Sequence, residues 1–180
     1  MLEKYNLIYK NDVPTNFYKY YPQQNKLKLP KILKIELNQG LGSKAQNEKI
    51  LNKSIENLSL ISGQYPLITT TKKAIANFKL RENIKIGLKV TLRKNRMYTF
   101  FDKLVNLVLP RVRDFSGLNL NNFDNYGNYN FGLKDILIFP ELDYQYENFY
   151  QGLNISIITS ATKKIDAIIL LKTLKFPLIY

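Results

Sequence analysis

Glu141 and Asp143 lie two residues apart beside Tyr144, with Asp124 and Asp135 not far along the chain. Paired carboxylates of this kind could hold Mg²⁺ for phosphoryl chemistry. Acids at a strand end and in a loop have a plainer use as surface charge, and that is the reading preferred here. The 180 residues contain no His and no Cys. An imidazole base, a Ser-His-Asp triad, thiolate chemistry, disulfides and the usual zinc sites are therefore missing. The expectation is no enzyme, no metal, no cofactor and no small-molecule substrate.

The chemistry the chain does offer is cationic. Its formal net charge is +13 and its isoelectric point is near 9.7. Such an excess favours a polyanionic partner. Residues 72–113 hold twelve Lys and Arg against two acids, Glu82 and Asp102, and so carry +10 of the total. That concentration is the electrostatic footprint of a nucleic-acid face. No apolar run approaches the roughly 20 residues needed to span a bilayer, and no membrane partner is expected.

These charges need elements to position them. Residues 1–30, interrupted by Pro14, Pro22 and Pro30, read as an arm with one short helix. Residues 31–180 read as a single domain. In KILKIELN, Leu33, Ile35 and Leu37 alternate with Lys34, Glu36 and Asn38, the period of a half-buried strand. Residues 43–61 carry apolar residues at helical spacing, with Ser43 as a candidate N-cap and Gly63 as the stop. LITT at 67–70 reads as a strand and 71–84 as a long basic loop without a hydrophobic period. In KIGLKVTLR, Ile86, Leu88, Val90 and Leu92 alternate with Lys85, Gly87, Lys89, Thr91 and Arg93. One face of that strand belongs to the core. The other must meet water or a polyanion.

A helix over 96–109 would turn Met97, Phe100, Phe101, Leu104, Val105 and Val108 inward until Pro110 stops it. The Asn-, Gly- and Tyr-rich stretch 115–132 reads as a loop. Strands are expected at 134–139 and 152–159, and a last helix over 163–174 with Ile165, Ile168, Ile169 and Leu171 inward. The predicted fold is α+β: a mostly antiparallel sheet with helices on one face and the open face left for RNA. Its exposed positions are polar rather than aromatic, which favours phosphate, sugar and shape contacts over base stacking.

Seven segments, in order, resemble large-subunit ribosomal protein five: KIELNQGLG (34–42), ISGQYPLITTTKKAIANFKLR (61–81), IGLKVTLRKNRMYTFFDKLV (86–105), LPRVRDFSGL (109–118), FDNYGNYNFG (123–132), FPELDY (139–144) and GLNISIITSA (152–161). The resemblance implies a sandwich whose open sheet face holds 5S rRNA, and a non-catalytic place in the large subunit. It implies that Asn38, Gln64, Thr91 and Arg93 contact that RNA, with Lys89 on the same face. For Gln64 the alternative is a residue of the turn that ends the preceding helix. It implies that the loop at about 71–84, with Lys72, Lys73, Lys79 and Arg81, reaches peptidyl-site tRNA. It also implies that the tip carrying Arg111, Arg113 and Asn128 meets a small-subunit protein, although Asn128 and Gly127 could equally build a turn. Large-subunit rRNA joins 5S rRNA among the implied partners. The family usually opens with a regular helix, from which the Pro-interrupted arm is expected to depart.

An RNA-binding protein acting outside the ribosome is the alternative. Amino acids with AT-rich codons (Asn, Lys, Ile, Tyr, Phe) supply 84 residues, against 25 for Gly, Ala, Arg and Pro. This points to an AT-rich genome and, by expectation, to a mitochondrial matrix ribosome, with a plastid or an AT-rich bacterium as alternatives. The first residues, MLEKYNLIYKNDVP, carry no recognisable import address, which local synthesis would not need.

Overall fold

A computed structural model of the chain describes residues 2–22, 25–78, 80–142 and 151–179. The architecture is α+β, as expected, with four helices and a five-stranded antiparallel sheet. The helices are α1 (Leu2–Tyr20), α2 (Glu48–Ser62), α3 (Lys94–Lys103) and α4 (Lys164–Thr173). The strands are β1 (Ile32–Gly40), β2 (Leu67–Thr70), β3 (Lys85–Leu92), β4 (Leu118–Asn119), β5 (Tyr129–Leu133), β6 (Leu153–Thr159) and β7 (Leu178–Ile179). The main sheet has the order β2-β3-β1-β6-β5, and β4 pairs with β7 in a small parallel ribbon.

Two compact units result. The first comprises Met1–Ile35, Arg93–Phe131 and Ser156–Tyr180. Here α1 packs on α3 and α4. The helix is longer than the short one expected, running 19 residues straight through Pro14. Proline removes its own N–H bond, but burial of Val13 and Phe17 on either side of that turn holds the helix together. The Tyr9 hydroxyl accepts the Ile32 N–H at 2.9 Å and so ties α1 to the start of β1. Burial holds that phenol far above its usual pKa range, so it stays protonated. Beside these helices an aromatic cluster forms around Tyr129 and Phe176, joined by Phe101, Phe123 and Phe131.

The second unit comprises Glu36–Leu92 and Gly132–Ile155. Here α2 lies against β3, burying Leu51, Ser54, Ile55, Leu58 and Ile61. Its N-cap is Asn47, which accepts the Lys49 N–H at 3.1 Å, and not Ser43. Residues 42–46 instead form a 3₁₀ turn. Gly63 ends the helix at φ +66°, as its position predicts. Inside the unit Gln39 Nε2 donates to Gln151 Oε1 at 2.6 Å, and the Ser54 hydroxyl donates to the same oxygen at 3.1 Å.

Three further expectations fail for physical reasons. Residues 134–139 form turns, and a strand instead runs over 129–133, of which 129–132 fall in the stretch read as a loop. Ile136, Phe139 and Leu142 are buried three apart, the period of successive turns, while Asp135 accepts the Leu137 N–H. Leu33 is exposed rather than inward, because burial along β1 skips from Ile32 to Ile35 before regular alternation begins. In α4 the buried residues are Ala167, Leu170 and Leu171, whereas Ile165 is 59% exposed. That helix is apolar nearly all round, so periodicity alone could not choose its inner face.

Candidate nucleic-acid interface

The two strands that matter most are neighbours in the sheet, β1 and β3. Along β1, Leu37 and Gln39 are buried while Glu36 and Asn38 face outward. Along β3, Leu88, Val90 and Leu92 are almost fully buried, and Lys85, Lys89 and Thr91 keep solvent access. In the antiparallel β2–β3 pair, Leu67 sits opposite Lys89 and Thr69 opposite Gly87, so both extend the same face. On β6, exposed Asn154 alternates with buried Leu153 and Ile155. The face therefore presents Asn38, Lys89, Thr91, Asn154 and Thr69 with exposed Leu67 at the β2 edge, and no aromatic side chain among them. Such a set can hydrogen-bond riboses and phosphates but offers bases nothing to stack on.

This face is less cationic than its sequence suggests. Lys89 Nζ lies 3.0 Å from Glu36 Oε2 across the two strands. A partly exposed pair of this kind contributes about 0–1 kcal/mol. Its larger effect is to hold the Lys89 ammonium beside the Glu36 carboxylate and to weaken its attraction for distant phosphate. In the same unit Lys85 is exposed, and in the first unit Arg93, Lys94 and Arg96 are exposed at the entry to α3. Arg93 leaves β3 in extended conformation (φ −138°, ψ 162°) and serves as the N-cap of α3 without a side-chain capping bond.

Gly87 makes the close approach of β1 and β3 possible. A Cβ built there would stand 2.6 Å from the Gln39 carbonyl oxygen and 3.5 Å from Gly40 Cα. The sequence shows Gly87 at a polar-parity position but gives no sign that the neighbouring backbone occupies its side-chain space.

Gln64 is half-buried and follows the left-handed Gly63. Its backbone N–H donates to the Ser62 hydroxyl at 3.2 Å, and the Ser62 hydroxyl also lies 2.6 Å from the Leu58 carbonyl. The backbone of Gln64 thus builds the turn, while its side-chain amide takes no part in these bonds.

The loop after β2 has an internal frame, where an irregular segment is expected from the sequence. Thr71 is its clamp: the buried hydroxyl donates to the Arg81 carbonyl at 2.5 Å and accepts the Ile84 N–H at 2.9 Å. Ile75 and Leu80 exchange backbone hydrogen bonds at 3.0 and 3.2 Å around a 3₁₀ turn at Ala76–Phe78. Lys72, Lys73 and Arg81 are exposed on this frame. Lys79 lies outside the described residues.

The α3 segment continues as a π turn over Leu104–Val108 and a 3₁₀ turn over Leu109–Arg111; Arg111 ends that turn, Arg113 follows it, and both are exposed. Asn128 is differently engaged. Its Nδ2 donates to Asp124 Oδ2 at 2.7 Å, its N–H to Asp124 Oδ1 at 2.7 Å, and its Oδ1 accepts the Thr159 N–H at 3.2 Å. Asn128 and Asp124 thus knit a turn against β6 in the first unit. Of the carboxylates weighed for metal chemistry, Asp124 holds this turn, Asp135 holds its own, and Asp143 lies outside the described residues together with Tyr144.

Comparison with known proteins decides the family. Residues 25–81 match the model described as ribosomal protein L5, and residues 85–178 match the model of the same ribosomal family's C-terminus. The chain belongs to the ribosomal L5 family. It is similar to the large ribosomal subunit protein uL5c of Heterosigma akashiwo, with 47% identity over 169 residues covering 94% of this chain and 93% of the relative. That of Gracilaria tenuistipitata var. liui is 46% identical over 170 residues, covering 94% and 95%. The uL5 of Rippkaea orientalis is 43% identical over 177 residues, covering 98% of each chain. An L5-family chain is a structural, non-enzymatic component of the large ribosomal subunit. The expected mitochondrial location is overturned, because these relatives are of the plastid type, uL5c, alongside a uL5 from Rippkaea orientalis. An AT-driven composition reports the genome's base content and cannot tell one AT-rich compartment from another.

Proposed function

We propose that this L5-family protein docks 5S rRNA on the outward face of β1, β3 and β6 in the large subunit of a plastid ribosome. The observation that carries the reading is the shared parity of Asn38 on β1 with Lys89 and Thr91 on β3, an open face backed by a buried one that is apolar except for the hydrogen-bonded Gln39. Asn38 and Thr91 supply neutral donors and acceptors to sugar and phosphate. Lys89, already oriented by Glu36, supplies a charge, and Arg93 supplies a planar guanidinium at the strand's end. The Gln64 amide adds a donor at the turn that leads into β2. The framed loop at 71–84 presents Lys72, Lys73 and Arg81 to peptidyl-site tRNA. Arg111 and Arg113 suit contact with a small-subunit protein, and Asn128 supports that tip from within its turn.

The deciding experiment is binding of 5S rRNA by the full chain. Arg93→Ala is expected to weaken it by about 1–3 kcal/mol, the range for a charge-assisted hydrogen bond. Unchanged affinity in a folded variant would remove Arg93 from the interface. Neutralising the loop as Lys72→Gln with Lys73→Gln is expected to leave 5S rRNA affinity within about twofold, since few phosphate contacts would be lost. A large drop there, with Arg93→Ala silent, would move the 5S rRNA site to the loop.

A further inference from the structure

The first unit contains a pocket that the sheet-face reading does not use. It lies between the segment after α1 and the start of α4, lined by Tyr21, Lys28, Pro30, Lys31, Lys163 and Asp166 among others, with a volume of about 710 Å³. That falls within the usual range of small-ligand sites, about 300–1,000 Å³. One wall is held by a pair of hydrogen bonds. Lys31 and Ser160 exchange hydrogen bonds, with the Lys31 N–H donating to Ser160 Oγ at 3.0 Å and the Ser160 N–H to the Lys31 carbonyl at 2.9 Å.

The chemistry of the lining is mixed in a way that selects a ligand. Lys28, Lys31 and Lys163 are exposed around the opening. Asp166, in the first turn of α4, has its Oδ1 buried and without a hydrogen-bond partner among the described residues. The charge of the same carboxylate, which also takes a hydrogen bond from the Tyr21 phenol, holds that phenol above its usual pKa range, so the phenol stays a neutral hydroxyl and Oδ1 is the oxygen still to be met. A buried carboxylate oxygen without a donor is costly, and its natural complement is an O–H or N–H. A simple anion would suit the three lysines but be repelled by Asp166. A cationic side chain would suit Asp166 but be repelled by the lysines. A ligand that joins an anion to a hydroxyl or N–H donor meets both demands.

We infer that this pocket takes one unstacked ribonucleotide of an RNA chain, its phosphate on Lys28, Lys31 and Lys163 and a ribose hydroxyl or base N–H on Asp166 Oδ1. The inference rests on the ribosomal reading for its RNA; the pocket's own chemistry supplies the rest. The site would give the chain a second hold on RNA, separate in residues from the sheet face.

The test is fluorescence anisotropy of the full-length protein with a labelled single-stranded ribo-trinucleotide, and with its deoxy counterpart. The ribo form is expected to bind at least about fivefold more tightly, because only RNA carries the 2′-hydroxyl donor. Lys31→Gln combined with Lys163→Gln is expected to weaken it about tenfold, and Asp166→Ala to abolish the ribo preference. Both lysines are exposed, so thermal unfolding should be unchanged in that pair. Equal binding of the two trinucleotides by the parent, or no response to the lysine pair, would overturn the inference. Arg93→Ala separates the two readings. It should leave the trinucleotide affinity unchanged while lowering that for 5S rRNA. A trinucleotide that responds to Arg93→Ala and not to the lysine pair would place it on the sheet, ending the pocket proposal while sparing the ribosomal one.

Discussion

Tyr129→Ala is expected to lower stability by about 3–5 kcal/mol, the range for removing a large buried aromatic side chain. For a chain of this size that corresponds to a fall in Tm on the order of 10 °C. Tyr129 is fully buried. Its ring centroid lies 4.6 Å from that of Phe123, 5.4 Å from Phe176 and 5.8 Å from Phe131. These neighbours are themselves large rings held in place by packing, so truncation leaves a cavity with stiff walls. The Tyr129 hydroxyl donates to the Asn119 carbonyl at 3.0 Å and thereby fastens the end of β4. Desolvation raises the phenol's pKa, so the donor stays protonated at neutral pH. Tyr129→Phe separates the two contributions, because it keeps the packing and removes only the hydroxyl, which also accepts the Asn122 amide at 3.4 Å. Losing the stronger bond to Asn119 costs about 0.5–1.5 kcal/mol. Chemical denaturation of both variants is the measurement. A loss below about 1 kcal/mol for Tyr129→Ala, under the range for such a truncation, would mean that the cluster repacks and is not the rigid centre of its unit.

What can be read from the sequence, and what cannot, follows from range. Strand β3 is legible because strict alternation reports one buried face directly, and Leu88, Val90 and Leu92 are inside as that rule requires. The polar parity of Asn38 and Thr91 comes from the same rule. What alternation cannot report is the partner across the sheet. Glu36 and Lys89 read as outward charges on separate strands, and only the β1–β3 pairing makes them an ion pair. Asn154 stands on polar parity in the segment 152–159, yet nothing local ties β6 to the side of β1. Thr71 is hidden for a similar reason: its bonds reach ten and thirteen residues ahead. Local motifs mislead where packing outweighs propensity. Pro14 argues against a long helix that Val13 and Phe17 hold together in the fold. DILIF resembles a strand, while its buried Ile136 and Phe139 fill a turn.

Gly87→Ala tests whether the close approach of β1 and β3 is what places the interface. Two effects oppose each other. Replacing glycine reduces the freedom of the unfolded chain and alone would stabilise by about 0.4–1 kcal/mol. Against it, the new methyl would stand 2.6 Å from the Gln39 carbonyl oxygen, inside any permitted contact. That oxygen belongs to backbone within the sheet and cannot swing aside as a flexible side chain would. Overpacking of this sort costs about 1–3 kcal/mol, so the net expectation is destabilisation. Gly87 also shares its face with Thr69, Lys89 and Thr91, and Gln39 directly follows Asn38. Relief of the clash must move β1 outward, carrying the Asn38 amide with it and loosening the 3.0 Å contact between Lys89 and Glu36. Affinity for 5S rRNA should then fall more than stability explains, by about tenfold at a temperature where the variant is fully folded, since roughly 1.4 kcal/mol of misplaced contacts suffices. A variant as stable as the parent and equally avid would show that the strands part without cost, and that the position of Asn38 relative to Thr91 does not set the site.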